Sequence, residues 1–147
     1  MSEIVPDLAA AELSVGLERL VSLLRRLPPG SDLSLTTAST LRLLEQDGPR
    51  RLSDLAAREG VTQPAMTQLV TRLERDGLAR RMPDPDDARV VLVVITEAGL
   101  ALLRERREVR ATHLQALIDT LPPQDRRRIV AAVPALIRLA DAAPADV

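Results

Sequence analysis

The chain contains no cysteine and no aromatic residue, and each absence excludes a class of chemistry. Without Cys there is no disulfide framework, no thiolate metal site and no cysteine switch that oxidation could operate. Without Phe, Tyr or Trp, the core must consist of aliphatic side chains and Met, and a ligand pocket has no aromatic ring for stacking. The single histidine, His113, cannot build a metal site alone, so we expect no metal and no cofactor.

Lysine is absent as well, so all 20 basic side chains are the planar, permanently charged guanidinium of Arg. The first residues carry no basic stretch before an apolar run, and the longest fully apolar run, residues 90–95, is too short to span a membrane. We therefore expect a cytoplasmic protein with no membrane partner. A length of 147 residues suits one domain, or one domain with helical extensions.

The middle of the chain has the order helix, turn, helix, strand, turn, strand. A short helix within residues 51–61 opens at Ser53, and a longer one covers residues 62–77, beginning at the N-cap residue Thr62. Residues 78–96 then read as two strands joined by an acidic turn. This order predicts a winged helix-turn-helix, which presents one helix to the major groove of DNA and its hairpin to the neighbouring backbone or minor groove.

Amphipathic helices flank this unit on both sides. The expected fold is mainly α (α+β), with about six helices and a two- to three-stranded β-wing. Residues 1–33 are expected to form an N-terminal dimerisation helix, residues 34–99 the winged DNA-binding domain, and residues 100–147 the C-terminal dimerisation helices. The flanking helices are more apolar than the small winged domain could cover, so a second copy of the chain is the simplest partner.

The helix of residues 62–77 divides its side chains between two faces. Apolar residues repeat at helical spacing on the inner face, and they are Met66, Leu69, Val70 and Leu73. Gln and Thr on the other face can bond to base edges, Pro64 and Ala65 can contact a thymine methyl group, and Arg72 suits a phosphate. The expected DNA contacts of this helix are Gln63, Pro64, Ala65, Thr67, Gln68, Thr71 and Arg72.

Charge is unevenly distributed although the net charge is only −1. Residues 49–82 carry seven Arg against four acids, whereas residues 1–48 carry four Arg against seven acids. The positive charge therefore lies where the helix-turn-helix is predicted. We include Arg80 among the DNA contacts, although Arg80 and Arg81 also suit a solvated strand edge. The run of residues 104–110, RERREVR, is expected to form a solvated helix face.

The segment LARRMPDPDDARVVLVVITEAG resembles the wing of the MarR family of transcriptional regulators. That family's pattern is a D-P-x-D-x-R turn, an aliphatic strand and a Thr-x-x-Gly helix start. Residues 52–81 resemble the family's third and fourth helices and first wing strand, so the resemblance covers about residues 34–100. Ala88 departs from the two adjacent Arg that members often carry, and Ile95 replaces a common Leu. The matching residues are Asp84, Pro85, Asp87, Arg89, Thr96 and Gly99.

The resemblance implies a homodimeric regulator of double-stranded DNA that reads a pseudo-palindromic operator. Repression by occlusion of polymerase is the expected mode, with activation left open. The resemblance also implies that Arg89 enters the minor groove. Asp87, two residues away, is expected to share one strand face with Arg89 and to orient its guanidinium. A small phenolic or anionic effector, bound between the dimer helices and the winged domain, is a further implication.

Two readings compete with this one. A winged helix can serve as a protein-interaction module that does not read DNA, and the string DPDD alone is also an ordinary hairpin turn. An enzyme is not expected, because the acids of residues 84–87 lie at a hairpin tip that offers no cleft, and no Gly-rich phosphate loop is present.

Overall fold

The structure is a computed structural model that describes residues 7–28 and 33–142. Within these residues it contains six helices and three short strands, which confirms the predicted fold class. The helices are α1 (Asp7–Arg26), α2 (Leu35–Asp47), α3 (Leu52–Glu59), α4 (Gln63–Arg75), α5 (Glu97–Asp119) and α6 (Pro123–Asp141). The strands are β1 (Arg50–Arg51), β2 (Ala79–Pro83) and β3 (Val91–Ile95).

Side-chain caps begin three of the helices. Ser34, Thr62 and Thr96 each accept a hydrogen bond from the backbone N–H three residues later, at 3.1, 3.3 and 3.2 Å. The predicted opening of α3 at Ser53 is wrong, because this helix starts one residue earlier. Its N-cap is Arg51, which makes no side-chain cap and which strand pairing in β1 already holds extended.

The three strands form one antiparallel sheet in the order β1-β3-β2. β2 and β3 are the wing hairpin, paired from Ala79 opposite Ile95 to Pro83 opposite Val91. β1 adds two residues on the other side of β3. The outer edge of β2 therefore has no strand partner in the described part of the chain.

The core lies where the winged domain packs against the first half of α5. The predicted inner stripe of α4 is buried there. Its partners come from α2, α3, the sheet and α5, and they include Leu41, Leu44, Leu55, Val93 and Leu103. This packing fixes one face of α4 inward and therefore its opposite face outward.

The helices α1 and α6 contain no buried side chain among those the structure describes. Instead they expose rows of large aliphatic residues at helical spacing. The rows consist of Leu13, Leu17, Leu20, Val21 and Leu24 in α1, and of Ile129, Val130, Val133, Leu136, Ile137 and Leu139 in α6, while Val15 is exposed on the opposite side of α1. An apolar surface of this extent is typical of a protein interface.

Candidate nucleic-acid interface

The outer face of α4 is fully accessible. All seven side chains that the sequence assigned to DNA contact on this helix are exposed. Thr62 and Pro64 define the first turn, since Thr62 caps it and Pro64 lacks only an N–H that the helix start does not use. The geometry therefore presents this face to solvent on a firmly packed helix.

Hydrogen bonding divides the side chains of this face into two groups. The hydroxyls of Thr67 and Thr71 donate to the backbone oxygens of Gln63 and Thr67, both at 2.9 Å. Their protons are therefore committed within the helix. The side chains of Gln63, Gln68 and Arg72 have no partner within the described part of the chain. Gln68 thus keeps its amide N–H groups and its carbonyl oxygen for an external ligand.

The wing loop of residues 84–90 folds back on itself. The backbone N–H of Asp84 donates to the oxygen of Val90 at 2.8 Å, and that of Val90 donates to the oxygen of Asp87 at 2.9 Å. The Asp84 carboxylate also accepts from the N–H of Asp86 at 2.9 Å. These bonds make the loop a defined turn.

Asp87 holds Arg89 within this loop. Its Oδ1 accepts from the backbone N–H of Arg89 at 3.1 Å and from Nε at 3.2 Å, while the Arg89 side chain stays 92% exposed. The predicted reason for this pairing is wrong, since β3 begins only at Val91 and the two residues share a turn rather than a strand face. The ion pair itself leaves the Arg89 guanidinium oriented and open to solvent.

The two arginines of β2 point in different directions, as strand alternation requires. Arg80 is exposed, whereas Arg81 is half-buried. Nη1 of Arg81 bonds to Oε2 of Glu74 on α4, and Nη2 bonds to Oγ1 of Thr71 at 3.3 Å. The backbone N–H of Arg81 donates to Oε1 of Glu74 at 2.8 Å. The sequence analysis did not predict this connection between β2 and α4. The one available signal was that side chains alternate along a strand, so an exposed Arg80 turns Arg81 to the other face.

A second candidate site is a cleft of 370 Å³ where the end of α1 and the start of α2 approach α5. Pockets of this size accommodate small molecules. The walls combine aliphatic side chains with guanidinium groups, and the lining residues are Leu24, Arg25, Leu27, Leu33, Ser34, Leu35, Arg106 and Arg110.

Several arginines crowd beside this cleft. Burial, and secondly the charges of Arg110 and Arg42, lower the pKa of Arg106. Burial followed by the charge of Arg110 likewise lowers the pKa of Arg42. Arg110 itself has no ion-pair partner within the described residues. Arg25 and Arg110 on the walls of the cleft are the cations that an anion there would meet.

The solvated face predicted for residues 104–110 is wrong at Arg106, which is only 4% exposed. Helical spacing puts Arg106 in line with Leu103, on the side of α5 that packs against α2. Its neighbour Arg107 bonds to Glu45 of α2, with Nη1 at 2.9 Å from Oε1. This bond lowers the pKa of Glu45 and raises that of Arg107. It joins the winged domain to the long helix.

Neither a metal centre nor a membrane span is found in the described ranges. Among residues 7–28 and 33–142, no group of three or more His, Cys, Asp or Glu is arranged to hold a metal ion. Within the same residues, no helix has the length and apolarity that crossing a membrane requires.

Comparison with known proteins identifies the family. The model of the MarR family matches residues 33–91. An HTH-type transcriptional regulator of Mycobacterium tuberculosis is 34% identical over 92% of this chain and 94% of its own length. The chain belongs to the MarR family.

Solved structures share the MarR-family fold. A transcriptional regulator of Thermotoga maritima has a TM-score of 0.74 at 23% identity, covering 89% of this chain and 95% of its own. A MepR mutant of S. aureus bound to an oligodeoxyribonucleotide has a TM-score of 0.63 at 20% identity. This match covers 90% of the present chain and 97% of the MepR chain. In this MarR-family chain, α4 is the second helix of the helix-turn-helix and the β2–β3 hairpin is the wing.

Two residues of the MarR-like pattern join the start of α5 to the turn between α4 and β2. The hydroxyl of Thr96 donates to the backbone oxygen of Gly77 at 2.6 Å, besides capping the helix. A Cβ atom on Gly99 would lie 2.3 Å from the backbone oxygen of Leu78, so only glycine permits this close approach. The pattern therefore describes a structural junction as well as a wing.

Proposed function

We propose that this MarR-family regulator is a homodimeric repressor that binds a pseudo-palindromic operator in double-stranded DNA, in the cytoplasm. One observation carries the proposal, namely that the exposed outer face of α4, with the Gln63 and Gln68 amides unbonded within the described residues, lies on the same domain as the open guanidinium of Arg89. In a winged helix-turn-helix, such a helix reads the major groove while the wing reaches the minor groove.

Each exposed side chain has a role that follows from its chemistry. Gln68 and Gln63 read base edges, and Gln68 bonds an adenine through two groups. Pro64, Ala65 and the methyl groups of Thr67 and Thr71 contact thymine methyls, because the hydroxyl protons of both threonines are already committed. The arginines Arg72 and Arg80 bind phosphates, and Arg89, oriented by Asp87, enters the minor groove.

The partner of the exposed apolar faces is a second copy of the chain. The rows on α1 and α6 carry the large aliphatic residues that an obligate interface needs, and the expected buried area exceeds about 2,000 Å² in total. A two-fold axis between copies sets the two α4 helices about 34–36 Å apart, one turn of DNA, which matches a pseudo-palindrome. Repression then follows from a bound dimer that occludes polymerase.

The cleft beside α5 is the proposed site of an effector that releases the operator. Its leucines suit an apolar body, and Arg25 and Arg110 suit an anionic group. Since α1 belongs to the proposed dimer interface and α2 to the winged domain, an occupant would contact both. A ligand that prefers one relative placement of these parts shifts the protein toward it.

A small aromatic carboxylate should therefore stabilise the protein through Arg110. We expect benzoate at millimolar concentration to raise the midpoint of thermal unfolding, because a ligand that binds only the folded state stabilises it. Benzyl alcohol, which has the same ring but no charge, should not raise this midpoint. Arg110→Gln should abolish the midpoint shift caused by benzoate without lowering operator affinity. Equal midpoint shifts with both compounds would exclude the anionic site.

The proposed function is tested by direct binding. Fluorescence anisotropy should show that the protein binds a labelled fragment from upstream of its own gene more tightly than a shuffled fragment. The logarithm of the affinity should fall linearly with the logarithm of salt concentration, since arginines release counterions from DNA. Absence of salt-dependent binding to any duplex would instead favour the protein-interaction module.

Gln68→Ala should change the sequence preference of the protein, whereas Arg72→Ala should change its overall affinity for DNA. Loss of a bidentate base contact should relax the preference at one position of each half-site by about 1–3 kcal/mol. Loss of the phosphate contact of Arg72 should weaken binding to all sequences about equally, because phosphates carry no base information. Selection of sites from a randomised duplex pool distinguishes the two. If Gln68→Ala selects the wild-type operator with unchanged stringency, the orientation assigned to α4 is wrong.

A further inference from the structure

We infer that Arg81 is a positioning residue that holds the wing at a fixed angle to the recognition helix α4. The contact of α4 with the major groove and that of the wing with the minor groove are thereby coupled. The inference rests on the proposed binding of DNA. It assigns Arg81 no contact with DNA, in contrast to its neighbour Arg80. Three hydrogen bonds support this role: two join Arg81 to Glu74 and form what we call the Glu74–Arg81 clamp, and a third joins Arg81 to Thr71.

The clamp joins a helix to the open edge of a strand. The outer edge of β2 has no strand partner in the described chain, so the backbone N–H of Arg81 would otherwise be unpaired there. Glu74 accepts from this N–H through Oε1 at 2.8 Å and binds the guanidinium of the same residue through Oε2. One carboxylate therefore holds both the backbone and the side chain of a single wing residue. Both side chains are about 30% exposed, which limits screening by water.

The clamp continues to the DNA-facing side of α4. Nη2 of Arg81 bonds to the hydroxyl of Thr71 at 3.3 Å, and this hydroxyl donates to the backbone oxygen of Thr67 at 2.9 Å. Thr67 is adjacent to Gln68, the proposed base reader. The wing strand is thus bonded to the turn of helix that contacts bases. Holding both elements in one geometry before binding lowers the ordering cost of simultaneous contact with two grooves.

The competing role for Arg81 is a direct phosphate contact, and the two roles predict opposite effects of Glu74→Gln. This substitution removes a negative charge near the DNA and loosens the hold on the guanidinium. If Arg81 bound phosphate, affinity for every duplex should rise. If Arg81 positions the wing, operator affinity should fall, because a charged hydrogen-bond partner has been replaced by a neutral one.

We expect Glu74→Gln to weaken operator binding about three- to tenfold while affinity for a mixed-sequence duplex stays equal or rises. Fluorescence anisotropy with both duplexes measures the two affinities, and circular dichroism verifies that the variant is folded. Tighter binding to the operator would overturn the inference.

Arg81→Lys provides an independent test with a matched control. Lysine keeps the charge and binds phosphate as a point charge, but it cannot span both Glu74 and Thr71. We expect operator affinity to fall about three- to tenfold with the salt slope unchanged. Arg75→Lys is the control, because Arg75 on α4 also pairs with an acid, Asp76 at 3.1 Å, but is 72% exposed and makes no bond to the wing. This variant should stay within about twofold of wild type.

The outcomes separate this inference from the function on which it rests. A wild-type protein that binds no duplex overturns the proposed function and the inference together. A wild-type protein that prefers its operator, with Arg81→Lys and Glu74→Gln both equal to it, overturns the inference alone.

Discussion

Leu20→Glu should convert the protein from a dimer to a monomer and lower operator affinity at least about 100-fold. Leu20 is 50% exposed in the row on α1 that we assign to the interface. In a two-fold interface one substitution places a carboxylate on both copies, and burying an unpaired charge is costly. Each half-site would then be bound independently, which forfeits the gain of about 10²–10⁴ that linked binding provides. Sedimentation and fluorescence anisotropy measure the two effects.

Val15→Glu is the matched control for this prediction. Val15 lies on the same helix and is 56% exposed, but helical spacing turns it away from the row that contains Leu13, Leu17 and Leu20. We therefore expect Val15→Glu to remain a dimer with unchanged operator affinity. A wild-type protein that sediments as a monomer at micromolar concentration would refute the interface, as would a dimeric Leu20→Glu.

Features encoded by neighbouring residues were predictable from the sequence. The spacing of Met66, Leu69, Val70 and Leu73 determines which face of α4 is buried, and the structure confirms it. Thr62 and Thr96 cap helices by bonding three residues along the chain, a short-range contact with a recognisable residue type. Such features depend on local backbone geometry, so their sequence signal is strong.

Features created by the tertiary fold had weak signals or none. β1 has two residues, too few to show alternation, and its pairing with β3 moves the start of α3. The hydrogen bonds that place Asp87 beside Arg89 depend on a turn. The two-residue spacing had instead predicted that both residues lie on one face of a strand. The contact between Arg107 and Glu45 joins residues 62 positions apart, so no local pattern could reveal it.

The two candidate sites are connected through the domain that contains α4. Glu45 and Arg107 tie α2 to α5 beside the cleft, while the Glu74–Arg81 clamp ties α4 to the wing. A ligand that moved α1 relative to α2 would therefore shift α2, α4 and Arg89 as one unit. This arrangement gives the proposed effector a route to DNA affinity that needs no contact with α4 itself.

Arg89→Ala should weaken operator binding by about 1–3 kcal/mol and reduce the salt slope by about one unit. Arg89 is the only basic residue of the wing loop, since Ala88 stands where MarR-family members often carry a second Arg. No neighbouring cation can compensate for its loss. Its side chain is 92% exposed, so the substitution should leave dimerisation and the unfolding midpoint nearly unchanged. Titrations at several salt concentrations give both affinity and slope.

Arg128→Ala is the control for a general loss of positive charge. Arg128 lies on α6, is 69% exposed and pairs with Asp125, three residues before it. It thus resembles Arg89, which pairs with Asp87 two residues before it. Because α6 is outside the winged domain, this substitution removes the same charge without touching the wing. We expect its affinity and salt slope to match wild type. An Arg89→Ala protein that binds the operator as tightly as wild type at every salt concentration would show that the wing loop does not enter the minor groove.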